Sequence, residues 1–327
     1  MPTRRAALAG LIAAPAFAAA PAPVGPWREA LALVADLAAA GRFWRDVAGW
    51  RAGPVRRLDP ASAALLGAPH SRGESRLWTA PGGMGAGSVR LLALHGAAGP
   101  VGRSNAMPWD TGGIFSIMTR TQDTPRDLDA ALALGWTAFN DPYAFTFGPV
   151  ALRNAVIRSH DQANVAVYER MEPRRSDVPD KGLSHAWNAM MSVKDVPAAR
   201  AWFEALGFAV IDAGRFVDPE PRLNNFAIPE SLSAEVGRPY AIMAPAGADP
   251  SLGRVELMGF EGLRGRDLSG RAQAPNRGWA LLAFPATDLG AVRARAAGAG
   301  VEPVREGPLP LLDWARGPAL VYRSPDG

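Results

Sequence analysis

The chain has 327 residues, of which 48% are hydrophobic and 20% are charged, a composition that predicts about two soluble domains with ordinary cores. Its formal charge is +4, and the arginines are scattered with no run longer than two, which excludes a nucleic-acid-binding surface. The absence of cysteine excludes disulfides, thiolate nucleophiles and cysteine metal sites.

The first twenty residues differ from the rest. Arg4 and Arg5 precede a short apolar stretch over 6–20, and Ala-Phe-Ala at 16–18 offers a small-residue cleavage site. This pattern predicts a signal peptide over 1–20, and the arginine pair indicates the twin-arginine route. The mature protein is then expected in the periplasm or secreted, with no membrane association. The alternatives are a start codon placed too early and a single membrane anchor, for which the apolar run is short.

From about residue 25 onward, the chain repeats itself. Asp36 and Asp195 each precede an amphipathic helix with aromatic residues on its buried side, and each helix ends at a glycine followed by an aromatic residue. Similar segments recur at offsets of 159 to 166 residues over most of the chain. A near-constant offset of this kind indicates an internal duplication.

Each half divides again into two modules. In every module an apolar strand leads to an aspartate that opens a helix. These aspartates are Asp36, Asp123, Asp195 and Asp288. The predicted fold class is α+β, with four modules of strand, helix and three strands paired into two cupped mixed sheets. The first two modules are expected to form a domain over 25–172 and the last two a domain over 183–327, joined by a linker over 173–182.

Several segments have the character of one known superfamily. They are 188–195 (Asn-Ala-Met-Met-Ser-Val-Lys-Asp), the helix through Trp202 and Phe203, 206–208 (Leu-Gly-Phe), the strand 255–257 (Val-Glu-Leu) and 324–327 (Ser-Pro-Asp-Gly). The pattern resembles the vicinal oxygen chelate superfamily, which includes glyoxalase I, bleomycin-resistance proteins, fosfomycin-resistance enzymes and extradiol dioxygenases. The resemblance implies paired βαβββ modules whose U-shaped sheet cups a metal ion or a ligand.

The resemblance also implies where the ligands of a metal would stand. One position is on the first strand of a module, seven residues before the helix-opening aspartate, and the other is the middle of the last strand. Because side chains alternate along a strand, one residue per strand can point into the cup. The first-strand positions are Glu29, Ser116, Asn188 and Leu281, and the last-strand positions are Arg90, Ala166 and Glu256.

These residues form a poor set of metal ligands. Assigned by halves, Glu29, Arg90 and Ser116 share one cup, while Asn188 and Glu256 share the other. A carboxylate beside a guanidinium favours an ion pair or an anion site, and a structural pair that fills a vestigial site is the alternative. The four histidines follow no metal-binding spacing. We therefore expect no cofactor, with a divalent metal at Glu256 as the weaker alternative.

The strand pattern predicts a cup for a small organic ligand. Alternation places Met118 and Met190 in the cups, and Phe115 and Trp187 against the helices. The leading hypothesis is a glyoxalase-like protein, monomer or homodimer, that binds or transforms a small organic molecule without a catalytic metal. The alternatives are a metal-dependent lyase or dioxygenase and a non-catalytic structural or partner-binding protein. Long connections at 51–76 and 214–239 are expected to cover the cups as lids.

The last residues match a turn in the middle of the chain. The similarity of 323–327 to 158–162 implies a further strand, equivalent to 163–169, after Gly327. Without it, a neighbouring strand is expected to have an unpaired edge and an opened cup. We expect either that the sequence continues beyond Gly327 or that another segment covers this edge.

Overall fold

The computed structural model describes residues 23–82, 85–96, 98–315 and 317–327. The predicted signal peptide over 1–20 lies outside the described residues. None of the helices within these ranges is long and apolar enough to cross a bilayer.

Four modules follow one another along the chain. The first contains β1 (Glu29–Leu33), α1 (Leu37–Arg42), β2 (Arg51–Arg57), α2 (Pro60–Leu65), β3 (Arg72–Thr79) and β4 (Ser88–His95). The second contains β5 (Ile114–Thr121), α3 (Thr124–Ala133), β6 (Thr137–Ala138), β7 (Tyr143–Phe147), β8 (Val150–Arg158) and β9 (Asn164–Glu172). The third contains β10 (Asn188–Ser192), α4 (Val196–Ala205), β11 (Phe208–Phe216), α5 (Glu230–Ser233), β12 (Arg238–Pro245) and β13 (Arg254–Met258). The fourth contains β14 (Gly278–Ala283), α6 (Leu289–Gly298), β15 (Arg305–Pro308) and β16 (Pro318–Val321).

The four predicted helix starts are confirmed. Each aspartate is an N-cap whose carboxylate accepts backbone amide hydrogens of the first turn, which satisfies donors that have no partner within the helix. The bonds run to Asp36 from Ala38 and Ala39, to Asp123 from Arg126, to Asp195 from Ala198, and to Asp288 from Ala291. The glycines that follow the helices have positive φ, the left-handed conformation that ends a helix and that glycine adopts without strain. They are Gly135, Gly207 and Gly300, together with Gly49, which follows the π-helical turn Phe43–Val47 that continues α1.

The modules pair across the two halves of the chain. β1 of the first module pairs antiparallel with β14 of the fourth, and β5 of the second pairs antiparallel with β10 of the third. One sheet therefore has the order β14-β1-β4-β3-β2, and the other β11-β12-β13-β10-β5-β9-β8-β6, with β7 against β8. The prediction that each cup combines modules of the same half was wrong. The repeat shows only that the modules resemble one another. Because their first strands are similar, each strand edge could pair with several others, and the sequence does not show which two modules share a sheet.

A single apolar core lies between the two sheets and their helices. It combines side chains from all four modules, including the stacked rings of Phe43 and Trp136, whose centroids are 4.2 Å apart. Two smaller apolar clusters lie on the opposite faces of the sheets. We call these faces the first cup, on the five-stranded sheet, and the second cup, on the longer sheet.

The alternation along the strands is confirmed for Met118 and Met190, which belong to the second cup, and wrong for Phe115 and Trp187, which also lie there. Phe115 changes face because the β5–β10 pairing shifts register between Met190 and Met191, and such a bulge re-aims side chains. Trp187 precedes β10, so the strand alternation does not apply to it.

Candidate functional site

The first cup contains the predicted ion pair. Glu29 and Arg90 are each 1% exposed, and the guanidinium donates two hydrogen bonds to the carboxylate, from Nε at 2.7 Å and from Nη2 at 3.1 Å. The indole of Trp314 donates a third, at 2.8 Å. Asp313 lies 3.8 Å from Arg90 and also pairs with Arg56. Because Glu29 already accepts three hydrogen bonds, this pair has the character of a structural element of the cup.

A cavity of about 890 Å³ opens beside β14, the end strand of the five-stranded sheet. Its lining comes partly from the first cup and partly from the shared core. Representative residues are Leu33, Leu309 and Trp314 on the cup side, and Ile114, Phe203 and Val292 on the core side. In the other modules a parallel strand occupies the corresponding place, with β4 beside β1, β9 beside β5 and β13 beside β10. The cavity therefore lies where the other modules have a parallel strand. We interpret it as a gap beside β14 and not as a ligand-binding site.

The second cup brings together three of the predicted site residues. In the sheet register, Ser116 stands opposite Met190, and Met190 stands opposite Glu256. Asn188, two residues from Met190 on the same face, donates a hydrogen bond to Glu256 at 3.0 Å. The hydroxyl of Ser116 is buried and has no hydrogen-bond partner in the described structure. Cross-pairing thus moves Ser116 away from Glu29 and Arg90 and places it with Asn188 and Glu256.

Glu256 is the electrostatic centre of the second cup. Its side chain is surrounded by protein yet keeps partial contact with solvent. Burial raises the pKa of Glu256 to about 7, while the hydrogen bond from Asn188 and the positive charge of Arg254 oppose this rise. Burial also raises the pKa of Tyr168, and the nearby charge of Glu256 adds to that effect. A carboxyl group with this pKa exchanges its proton at neutral pH, as a general acid or base must.

The walls of the second cup are mainly aromatic. They include Phe115, Phe139, Tyr168, Trp187, Tyr240 and Phe260. Part of the connection at 214–239 covers this cup, as predicted, with Phe226 and Ile228 packed into the apolar cluster. The buried ion pair of Asp218 with Arg238, at 2.9 Å, fastens this lid. The other predicted lid, 51–76, was wrong, because the hydrogen bonding of β2 with β3 and the helix α2 account for most of that segment.

Sequence reasoning missed three residues of the second cup. Tyr168 lies in its aromatic wall, Arg120 and Arg254 lie at its rim against Trp187, and all three are partly exposed. Arg120 and Arg254 are separated by an even number of residues from Ser116 and Glu256, respectively. Because side chains alternate along a strand, this spacing could have predicted that they face the same cup.

The residues at the ligand positions that the resemblance implies do not fit a divalent metal. In the second cup these positions are Ser116, Asn188, Glu256 and Ala166, which offer one hydroxyl, one amide, one carboxylate and one methyl group. In the first cup, the guanidinium of Arg90 donates hydrogen bonds to both carboxylate oxygens of Glu29, which competes with any metal for them. Across the described ranges, no group of three or more His, Asp or Glu side chains is arranged to hold a metal ion. Mg²⁺, Zn²⁺ and Fe²⁺ sites require more donors than these.

Comparison with solved structures agrees with the architecture. The chain superposes on glyoxalase I from Zea mays with a TM-score of 0.56 and 14% identity, over 87% of this chain and 84% of that one. It superposes on a Bacillus subtilis protein named as a dioxygenase with a TM-score of 0.52 and 12% identity, over 87% and 77% of the two chains. No protein-family model and no curated protein matches the sequence. The fold is therefore glyoxalase-like, as the resemblance predicted.

Proposed function

We propose that this protein binds a small organic molecule in the second cup and exchanges a proton with it through Glu256, without a divalent metal. The observation that carries the proposal is the contact of Asn188 with Glu256 beneath an aromatic wall and a packed lid. Apolar and aromatic walls with a few convergent polar groups are the usual lining of a small-molecule site.

Each group has a role in this proposal. Glu256 gives or takes the proton, because its pKa of about 7 leaves both forms populated at neutral pH. Asn188 holds one carboxylate oxygen at 3.0 Å and so fixes the direction of the other. The unpaired hydroxyl of Ser116, two strands away, supplies a further hydrogen-bonding group on the floor of the cup.

The metal-dependent alternative makes the opposite prediction about the metal content of the purified protein. We expect no stoichiometric Fe, Mn, Ni or Zn in protein purified without chelators, because Glu256 is the one carboxylate among the four ligand positions of the second cup and Arg254 lies beside it. Elemental analysis of the wild type and of Glu256→Ala tests this. A stoichiometric metal in the wild type that is lost in Glu256→Ala would support the lyase or dioxygenase alternative instead.

The binding proposal is tested by titrating the protein with small aromatic phenols and acids and following tryptophan fluorescence, since Trp187 lies in the wall of the cup. We expect saturable binding that Glu256→Gln alters in its pH dependence between about pH 5 and 8, because the variant cannot titrate. Met190→Trp, which fills the floor of the cup, should abolish binding. Binding unaffected by Met190→Trp would place the ligand elsewhere and reject the proposal.

We further propose that the protein is exported and acts in the periplasm or outside the cell. The support is the arginine pair, apolar stretch and small-residue site within 1–20. Amino-terminal sequencing of protein from a fractionated culture tests this, with a start after residue 18 in the periplasmic fraction as the expected result. An intact amino terminus found only in the cytoplasm would contradict it.

A further inference from the structure

Two arginines share one tryptophan at the rim of the second cup. The guanidinium carbon of Arg120 lies 4.3 Å from the ring centroid of Trp187, and that of Arg254 lies 4.6 Å from it. Stacking on an aromatic face fixes a guanidinium plane while leaving its in-plane donors free. The arrangement thus holds two cationic groups in place beside one ring.

Neither of these guanidinium groups has an acidic partner. Among the described residues, no carboxylate lies within 4.0 Å of Arg120 or Arg254, whereas the buried Arg90 and Arg238 each pair with one. The Nε of Arg254 is buried without any hydrogen-bond partner. A partly buried positive charge that lacks a counterion is costly, and an anion placed there would relieve that cost.

The electrostatics of the pair agree with this geometry. Burial lowers the pKa of Arg120 to about 10, and the nearby charges of Arg175 and Arg254 lower it further, with only Asp177 opposing them. Burial also lowers the pKa of Arg254, against the opposing effects of Glu256, Asp249 and Asp212. Both shifts arise first from burial, which withdraws the two guanidinium groups from water.

The arginine pair faces the same cup as the proposed proton-exchanging group. Arg254 precedes Glu256 by two residues on β13, so their side chains emerge on one face about 6–7 Å apart along the strand. Arg254 also stands opposite Asn188 in the ladder, and the ring of Tyr168 lies 6.1 Å from that of Trp187. A ligand held at the arginines would therefore extend along an aromatic wall toward Glu256.

We propose that Arg120 and Arg254 bind the carboxylate of an aromatic organic acid whose ring lies in the second cup and whose reacting group reaches Glu256. This inference rests on the proposed function and specifies its ligand class. A guanidinium fork matches a carboxylate with two hydrogen bonds, and the separation from Glu256 corresponds to the length of one substituted ring.

The test compares 4-hydroxybenzoate with its neutral analogue 4-hydroxybenzamide, which has nearly the same shape and no charge. Isothermal titration calorimetry should show the acid binding at least roughly tenfold more tightly than the amide, because charge-assisted hydrogen bonds are the stronger ones. Arg120→Gln and Arg254→Gln should each remove most of this preference without weakening the amide. Arg215→Gln is the matched control, since its guanidinium is exposed and pairs with Glu261.

The outcomes separate this inference from the proposed function. Equal binding of acid and amide, lost in Met190→Trp, would overturn the anion site and keep the cup as a ligand site. No binding of either compound to the wild type would overturn both. Should a glutamine variant fail to fold, Arg120→Lys and Arg254→Lys retain the charge and lose the fork, and unchanged affinity for the acid in both would also overturn the inference.

Discussion

Asp161 and Asp326 make equivalent hydrogen bonds in the two halves of the chain. The carboxylate of Asp161 accepts the amide hydrogen of Ala35 at 3.2 Å, and that of Asp326 accepts the amide hydrogen of Lys194 at 3.0 Å. Both amides immediately precede a helix-capping aspartate. These bonds join neighbouring modules of one half, while the strand pairs β1–β14 and β5–β10 join modules of different halves. Each module is consequently held by two others, in a closed ring of contacts.

Two equivalent glycines allow this ring to close. A β-carbon on Gly87 would lie 1.8 Å from the carbonyl oxygen of Ala186, and one on Gly253 would lie 2.5 Å from the amide nitrogen of Trp27. Both have positive φ, at 81° and 56°. We expect Gly87→Ala and Gly253→Ala each to lower the free energy of unfolding by about 3 kcal/mol or more, measured in urea, since backbone must move.

The control for these two variants is Gly298→Ala in α6, where a β-carbon meets open space. That change should leave stability unaltered or raise it by up to about 1 kcal/mol, the advantage of alanine over glycine in a helix. Gly87→Ala as stable as wild type would show that the backbone at Gly87 and Ala186 is packed more loosely than the 1.8 Å approach implies.

The titration of Glu256 should appear in the stability of the protein. Its pKa of about 7 in the folded state lies above the value of 4.5 expected for an unfolded glutamate, so the folded state keeps the proton longer. Stability of the wild type should therefore fall as pH rises from about 4.5 to about 7, by roughly 3 kcal/mol relative to Glu256→Gln. Urea unfolding of both proteins across this range measures the difference.

A second variant serves as a control for the effect of Glu256 on the pH dependence of stability. The exposed Glu261 has its pKa lowered by its hydrogen bond with Arg215, so Glu261→Gln should not reproduce the effect. Parallel pH profiles for wild type and Glu256→Gln would mean that Glu256 titrates as an ordinary surface carboxyl group and that the second cup lacks the proposed proton-exchanging residue.

What the sequence could predict depended on how local the interaction is. Helix caps at Asp36, Asp123 and the two later aspartates involve bonds within three residues, and the Glu29–Arg90 pair joins strands of one module. All of these followed from pattern. The placement of Ser116 in the same cup as the Asn188–Glu256 pair depends on which modules share a sheet, and a repeat of similar modules does not reveal that. Trp187 precedes β10, and outside a regular strand the side chains do not alternate between faces, so its position could not be predicted.

The buried pair in the first cup makes a further prediction. Arg90→Met leaves the carboxylate of Glu29 buried with Trp314 as its one remaining donor among the described residues, so the free energy of unfolding should fall by roughly 3–5 kcal/mol. The double variant Glu29→Gln/Arg90→Met removes both charges and should recover a large part of this loss. Arg215→Met, which breaks an exposed pair, should leave the urea midpoint unchanged. An Arg90→Met midpoint equal to that of Arg215→Met would instead show that water reaches Glu29.

The edge of β14 supports the last prediction. Within the described structure β14 has one strand neighbour, and the cavity of about 890 Å³ lies where β4, β9 and β13 stand beside their own first strands. Appending the sequence of residues 163–169 after Gly327 should therefore raise the melting temperature clearly, because the new strand would complete a row of backbone hydrogen bonds and bury apolar side chains. The same extension with prolines at alternate positions cannot donate those bonds and serves as the control. An equal rise with both extensions would point to nonspecific burial, and no rise with either would mean that the cavity is not shaped for a strand.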